Sequence, residues 1–173
     1  MSESAALAPV SVPAERREPG ADILADYLET LSLIERLHRL LLDVIKDELE
    51  RLGRFELSAV QALLLFNIGD KVISAGELRT RGYYQGSNVS YNLKKLVEGG
   101  YIHHERSEVD RRSVRVRLTG QGREVHELIA ALFRRNADEL CGGGRLQGAG
   151  LARMNNDLRS LERYWAERIR YIY

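Results

Sequence analysis

With 173 residues, a net charge of +1 and 29% charged side chains, the chain is long enough to bury a core of its own and has the charge density of an ordinary globular protein. The first residues lack the continuous apolar stretch of a secretory signal, and no apolar run approaches the roughly 18 residues of a membrane span, so a cytoplasmic protein is expected. A single cysteine, Cys141, excludes an intramolecular disulfide and a multi-cysteine zinc site.

The small net charge hides an uneven distribution. Residues 79–117 hold nine Lys or Arg against four acids, whereas residues 22–52 hold eight acids against four bases. A positive face is therefore concentrated in the middle of the chain, the arrangement expected where a polyanion is bound.

In chain order, residues 1–20 are dominated by Ala, Pro, Ser, Glu and Arg, and Pro9, Pro13 and Pro19 discourage helix, which predicts a disordered arm. From 22 to 52 apolar residues recur mostly three or four apart, with Asp22 placed to cap the start and Gly53 the end. That spacing predicts one long amphipathic helix. At about 1.5 Å per residue it would reach roughly 46 Å, more than a small domain needs for its own core, which suggests a partner subunit. Two shorter helices are predicted over 58–68 and 74–81, the latter with Ser74 and Glu77 in capping-box spacing. Gly82 breaks the second of these, and Ser87 opens another helix that stops at Gly99 and Gly100. Two short helices joined by a tight turn make a helix-turn-helix.

Residues 101–107 and 113–118 read as strands, the second alternating Val114, Val116 and Leu118 inward with Ser113, Arg115 and Arg117 outward, and five residues between them form a wing. Thr119 caps a helix over about 121–140 with Val125, Leu128, Ile129, Leu132 and Phe133 on one face, and the glycine-rich segment 141–150 breaks it. A last helix places Leu151, Met154, Leu158, Leu161, Trp165 and Tyr171 or Ile172 on a three-four repeat. The predicted fold class is mainly α with a small β-hairpin wing (α+β). A winged helix-turn-helix over 54–119 lies between an N-terminal dimerisation helix, 21–53, and C-terminal dimerisation helices, 120–173.

The candidate chemistry sits in residues 86–117. The helix opening at Ser87 is expected to turn Ser87, Asn88, Ser90, Tyr91, Asn92, Lys94 and Lys95 to solvent and Val89, Leu93, Leu96 and Val97 to the core, with no acid before Glu98. Asn suits adenine edges, and Ser, Tyr and Lys suit phosphates or bases. At the wing tip, Asp110 and Arg112 stand two apart, so an ion pair between them would stiffen the loop while Arg111 or Arg112 projects into a narrow, electronegative minor groove. Double-stranded DNA is the expected partner.

The order of these elements, with Gly100-Tyr101-Ile102, Asp110-x-Arg112 and Leu118-Thr119-x-x-Gly122, resembles the multiple-antibiotic-resistance regulator (MarR) family of dimeric bacterial transcription factors from about residue 22 to the end. The resemblance implies that Asp110 braces Arg112 in the minor groove, that the protein acts as a homodimer on a pseudo-palindromic operator, more commonly as a repressor, and that a small aromatic or lipophilic ligand or an oxidant releases it. Tyr27, Leu31, Leu63 and Phe66 are the expected lining of a ligand pocket. The chain departs from the pattern at Arg79-Thr80-Arg81-Gly82-Tyr83-Tyr84, where many members have a small apolar helix end, and its long first helix and N-terminal arm suggest a divergent subgroup.

Other readings carry less. Consecutive strand residues point to opposite faces, so His103 and His104 are poorly placed to grip one ion, and no metal or cofactor is expected. Cys141 reads either as a small apolar residue ending a helix or as an oxidant-sensing thiol that lacks an intrachain resolving partner. The segment GGGRLQGAG lacks the Gly-Lys-Ser/Thr ending of a phosphate loop. No catalytic triad or paired carboxylates stand out, the acids being assigned mainly to solvated helix faces, so an enzyme is not expected. The rival of another class is a helical protein-interaction module whose winged helix no longer binds DNA.

Overall fold

The computed structural model of the chain describes residues 22–74, 77–78, 86–106 and 114–170. The predicted arm, the Asp110-Arg111-Arg112 wing tip, most of the helix predicted over 74–81, the divergent 79–84 stretch and the apolar Tyr171 and Ile172 fall outside these residues. Described elements are helix α1 (Ile23–Arg51), α2 (Ala59–Ile68), strand β1 (Ile73–Ser74), α3 (Gly86–Glu98), β2 (Ile102–Arg106), β3 (Val114–Leu118), α4 (Gly120–Gly142) and α5 (Gly148–Arg170). The chain divides after Leu40 into two compact units. None of the helices among the described residues is long and apolar enough to cross a membrane.

In the first unit α1 starts where the apolar periodicity predicts. Asp22 Oδ1 accepts from the Ala25 amide at 3.1 Å, satisfying one of the orphan donors of a helix start. Ile23, Leu24, Leu28, Leu33, Leu37 and Leu40 are exposed on this part of the helix.

The second unit holds the core. Helix α2 is apolar on every side, as a helix at the centre of a lobe must be. Ala62, Leu63, Leu64, Leu65 and Ile68 are all buried, and each fully buried Leu or Ile contributes about 1.5–3 kcal/mol. Its start is fixed by a reciprocal capping box: the Gln61 amide donates to Ser58 Oγ at 3.3 Å and the Ser58 amide to Gln61 Oε1 at 3.0 Å. Its end lies at Gly69, with a φ of 57° that a side chain would resist. Around α2 gather Ile45 and Leu49 of α1, Val89, Leu93 and Leu96 of α3, Ile73, Ile102, Val116 and Leu118 of the sheet, and Val125, Ile129 and Leu132 of α4. His126 of α4 clamps this arrangement, stacking on Phe66 with centroids 5.3 Å apart while its Nδ1 lies 3.2 Å from the Phe66 carbonyl.

The expected two-stranded hairpin is a three-stranded antiparallel sheet in the order β1-β3-β2. Ile73 pairs with Val116, and the β2–β3 register runs from Ile102 opposite Leu118 to Arg106 opposite Val114. Strand β1 escapes sequence reading because two residues carry no period. Ser74 serves twice, closing β1 and capping the helical turn at Glu77 and Leu78: its amide donates to Glu77 Oε2 at 2.6 Å and its Oγ accepts from the Glu77 amide at 3.0 Å.

Two boundaries also shift. Helix α4 runs through Cys141 to Gly142 and α5 begins at Gly148, so the break predicted over 141–150 shrinks to about one turn. Leu146 N–H reaches back to the Leu140 carbonyl across Gly144, whose φ is 68°, and Gln147 O accepts from Gly150 and Leu151 to start α5. The glycines turn the chain there rather than leaving it without structure.

Candidate nucleic-acid interface

Helix α3 has the two faces expected of it, with one exception. Val89, Leu93 and Leu96 are buried, but Val97 is 38% exposed, because at about 100° per residue it sits at the edge of the arc those three share. On the outer face Ser90, Tyr91, Lys94 and Lys95 are exposed and Asn92 is half-buried. Ser87 and Asn88 lie in the first turn of the same helix. Seven of the predicted DNA-contacting residues therefore share one helix. The other three, Asp110, Arg111 and Arg112, lie between β2 and β3, whose register brings Arg106 opposite Val114.

The exit of α3 is built with little tolerance. Gly100 takes a φ of 75°, its amide donates to the Val97 carbonyl at 3.0 Å, and the Tyr101 amide donates to the Leu96 carbonyl at 2.9 Å; together these are the Schellman helix end, which requires a left-handed residue. Tyr101 then folds under the helix. Its ring sits 3.0 Å from where a Gly99 Cβ would stand, and its hydroxyl donates to Glu56 Oε1 at 3.2 Å. Burial, reinforced by the Glu56 carboxylate, pushes the Tyr101 phenol up, so it stays a donor.

Helix α4 begins on top of this turn. Thr119 Oγ1 lies 2.7 Å from the Gly100 carbonyl oxygen and 3.1 Å from that of Tyr101, the Thr119 amide donates to Tyr101 O at 3.0 Å, and Oγ1 accepts from the Gly122 amide at 3.1 Å. A Cβ on Gly122 would stand 2.1 Å from Tyr101 O. The spacing Leu118-Thr119-x-x-Gly122 thus has a physical cause: Thr119 caps α4 and ties it to the recognition-helix exit, and only glycine leaves room for that contact. Arg54 adds a link, reaching Glu56 and Glu124 at 3.6 Å each.

Lys95 Nζ lies 3.1 Å and Lys94 Nζ 3.9 Å from the two oxygens of Glu98, so the lysines of α3 share one carboxylate. The lysine-to-glutamate spacing of three and four residues is the signal that would have found it. On the sheet, Arg115 and Arg117 face outward as predicted, with His103 exposed opposite Arg117 and His104 opposite Val116. No group of three or more His, Cys, Asp or Glu able to hold a metal occurs among the described residues.

The other candidates fall in both units. Tyr27 and Leu31 belong to the first unit; Leu63 is in the core of the second, and Phe66 is half-buried, edge-on to Phe133 with centroids 4.9 Å apart. Cys141 is exposed in the last turn of α4. Glu48, one of the eight acids of residues 22–52, is only 8% exposed, its carboxylate receiving Arg51 at 2.8 and 2.9 Å and also Arg135 of α4.

Residues 57–122 match the family described as the winged helix DNA-binding domain. In fold the chain is similar to a crystal structure of a mutant MarR from Escherichia coli complexed with operator DNA, with a TM-score of 0.62 and 20% identity over 82% of this chain and 99% of that one. Residues 57–122 thus form a winged helix, and the chain has the fold of that MarR structure. The winged-helix protein also resembles in fold a Bordetella bronchiseptica protein, BpsR, whose structure concerns regulation of DNA binding by 6-hydroxynicotinic acid (TM-score 0.61, 19% identity, 78% and 98% of the two chains). In sequence it is 40% identical over 116 residues to the exopolysaccharide II synthesis transcriptional activator ExpG of Rhizobium meliloti (strain 1021), a match spanning 67% of this chain and 59% of that relative. That relative is a transcriptional activator by name.

Proposed function

We propose that the chain is a sequence-specific, DNA-binding transcription regulator that works in the cytoplasm as a homodimer on a pseudo-palindromic operator. The observation that carries this reading is α3: a helix clamped at its exit, with Ser90, Tyr91, Lys94 and Lys95 exposed on its outer face and no acid before its last residue. Such a helix fits a major groove, where side chains read base edges while lysines hold phosphates. Asp110 as brace and Arg112 as reader would extend the contact into the neighbouring minor groove.

The dimer is supported by exposed apolar surface on α5 and on α1. Helix α5 exposes Met154, Leu158, Trp165 and Ile169, and α1 exposes Leu24, Leu28, Leu33 and Leu37, more than scattered surface apolar residues account for. A two-fold partner would cover it and place two recognition helices in successive major grooves about one helical turn apart. The named activity of the 40% identical relative favours activation here, against the repression the family resemblance implies. Release by a small aromatic or lipophilic effector remains part of the reading, supported by the regulation stated for BpsR; a compound that binds the DNA-free form better lowers operator occupancy by shifting the population.

The test is Arg112→Ala, read by mobility shift on the DNA upstream of the protein's own gene. Affinity falls and the salt dependence flattens by about one unit of slope. Equal affinity of variant and wild type at two salt concentrations removes the wing from the account.

A further inference from the structure

Glu98 stands where helix stability alone would not put it. It is the last residue of α3, at the negative end of the helix dipole, where a carboxylate is unfavourable. It also follows Lys94 and Lys95, the less favourable order for helical ion pairs. Yet it holds both lysines, at 3.1 and 3.9 Å, and the hydrogen bond and charge of Glu98 push the Lys95 ammonium up. Lys94 is 76% and Lys95 47% exposed, so the pairing is not forced by burial.

We propose that Glu98 is an internal competitor of the DNA phosphates: it occupies Lys94 and Lys95 in the free protein and so sets the level of sequence-independent DNA affinity. The inference rests on the DNA-binding reading above. Two lysines on a major-groove helix would otherwise each meet a phosphate and release a condensed counterion, the step that supplies nearly all non-specific affinity. A lysine already paired with a carboxylate neutralises less phosphate charge and releases fewer counterions. Exposed pairs of this kind are weak enough for a phosphate to displace, so Glu98 lowers affinity without abolishing it. Because both cognate and non-cognate DNA present phosphates at the same helix face, the restraint falls on both and leaves their ratio to the base contacts of Ser87 to Asn92.

Fluorescence anisotropy tests this with the full chain, on the duplex upstream of its own gene and on a shuffled duplex of equal length and composition. Glu98→Gln binds both duplexes about three- to tenfold tighter at about 50 mM salt, with a slope steeper by about one unit up to about 200 mM. In a Lys94→Gln/Lys95→Gln background, Glu98→Gln changes neither quantity, which separates release of the lysines from loss of one negative charge at a distance. Two results overturn the proposal while leaving the DNA reading intact: salt-dependent binding by wild type that Glu98→Gln does not alter, or an equal gain in the Lys94→Gln/Lys95→Gln background. If the wild type binds neither duplex, the DNA reading fails and this proposal with it.

Discussion

Gly122→Ala lowers the melting temperature by about 6–12 °C, the shift that about 3 kcal/mol produces in a chain of this length. The added Cβ would stand 2.1 Å from the Tyr101 carbonyl oxygen, 3.2 Å from its carbon and 3.3 Å from Leu118 Cδ2. Two of those three atoms are backbone, so no side-chain rotation relieves the clash. Relief requires lifting the first turn of α4 or displacing the Tyr101 carbonyl, and that oxygen already accepts from the Thr119 amide at 3.0 Å. Overpacking at a rigid site costs about 1–3 kcal/mol, and loss of the cap hydrogen bond to Thr119 adds to it. Tyr101 follows α3 by two glycines, so the same displacement tilts the recognition-helix exit; DNA affinity measured well below the melting point falls as well. Thermal unfolding by circular dichroism reads the first effect, and a shift within about 2 °C of wild type would show that the α4 start yields more easily than its contacts indicate.

The second large effect is at Glu48. Its carboxylate is buried between two half-exposed guanidinium groups, Arg51 from its own helix and Arg135 from α4. Hydrogen bonds from Arg51 act first, opposed by burial and seconded by Arg135, and together they hold the carboxyl at about 2 instead of 4.5. A carboxyl whose pKa is depressed on folding stabilises the fold fully above its unfolded pKa and loses that contribution as pH falls through the folded one. The contribution is therefore complete at neutral pH and disappears between about pH 5 and pH 2. Discounted for the solvent around both arginines, it amounts to about 2 kcal/mol. Glu48→Gln should thus be less stable than wild type by about that amount at pH 7, with a melting temperature lower by about 4–8 °C, and the two proteins should converge as pH approaches 2. Denaturant unfolding at a series of pH values checks this. A difference that stays constant from pH 7 to pH 2.5, about half a unit above the native pKa, would show that Glu48 acts by shape and not by charge.

Much of the lobe was legible because local chemistry and global packing agree there. Ser58 with Gln61, Asp22 before α1, and Gly99-Gly100 after α3 each mark an end that the backbone needs marked, and the apolar spacing of Val89, Leu93 and Leu96 points the opposite face of α3 outward. What escaped has identifiable causes. Strand β1 is two residues long and carries no alternation. Val97 follows the apolar pattern of α3 yet sits at the edge of its buried arc. Glu48 looks like one of eight acids in residues 22–52, and the partner that makes it a buried ion, Arg135, is 87 residues away. Glu98 was read as the end of an acid-free stretch, whereas its three- and four-residue distances from Lys95 and Lys94 make it part of the candidate interface. Pairings within one helix turn can be found from spacing; those across the fold cannot.

The central claim is that this winged helix holds DNA by α3 and its wing, as a two-fold pair. Footprinting of the purified full chain on the DNA upstream of its own gene tests it most directly. The account predicts protection of a pseudo-palindrome whose half-sites are about 10 base pairs apart centre to centre, with affinity that falls steeply as salt rises. A folded protein that protects no segment of that DNA, and whose weak binding is the same on a shuffled duplex, would contradict it.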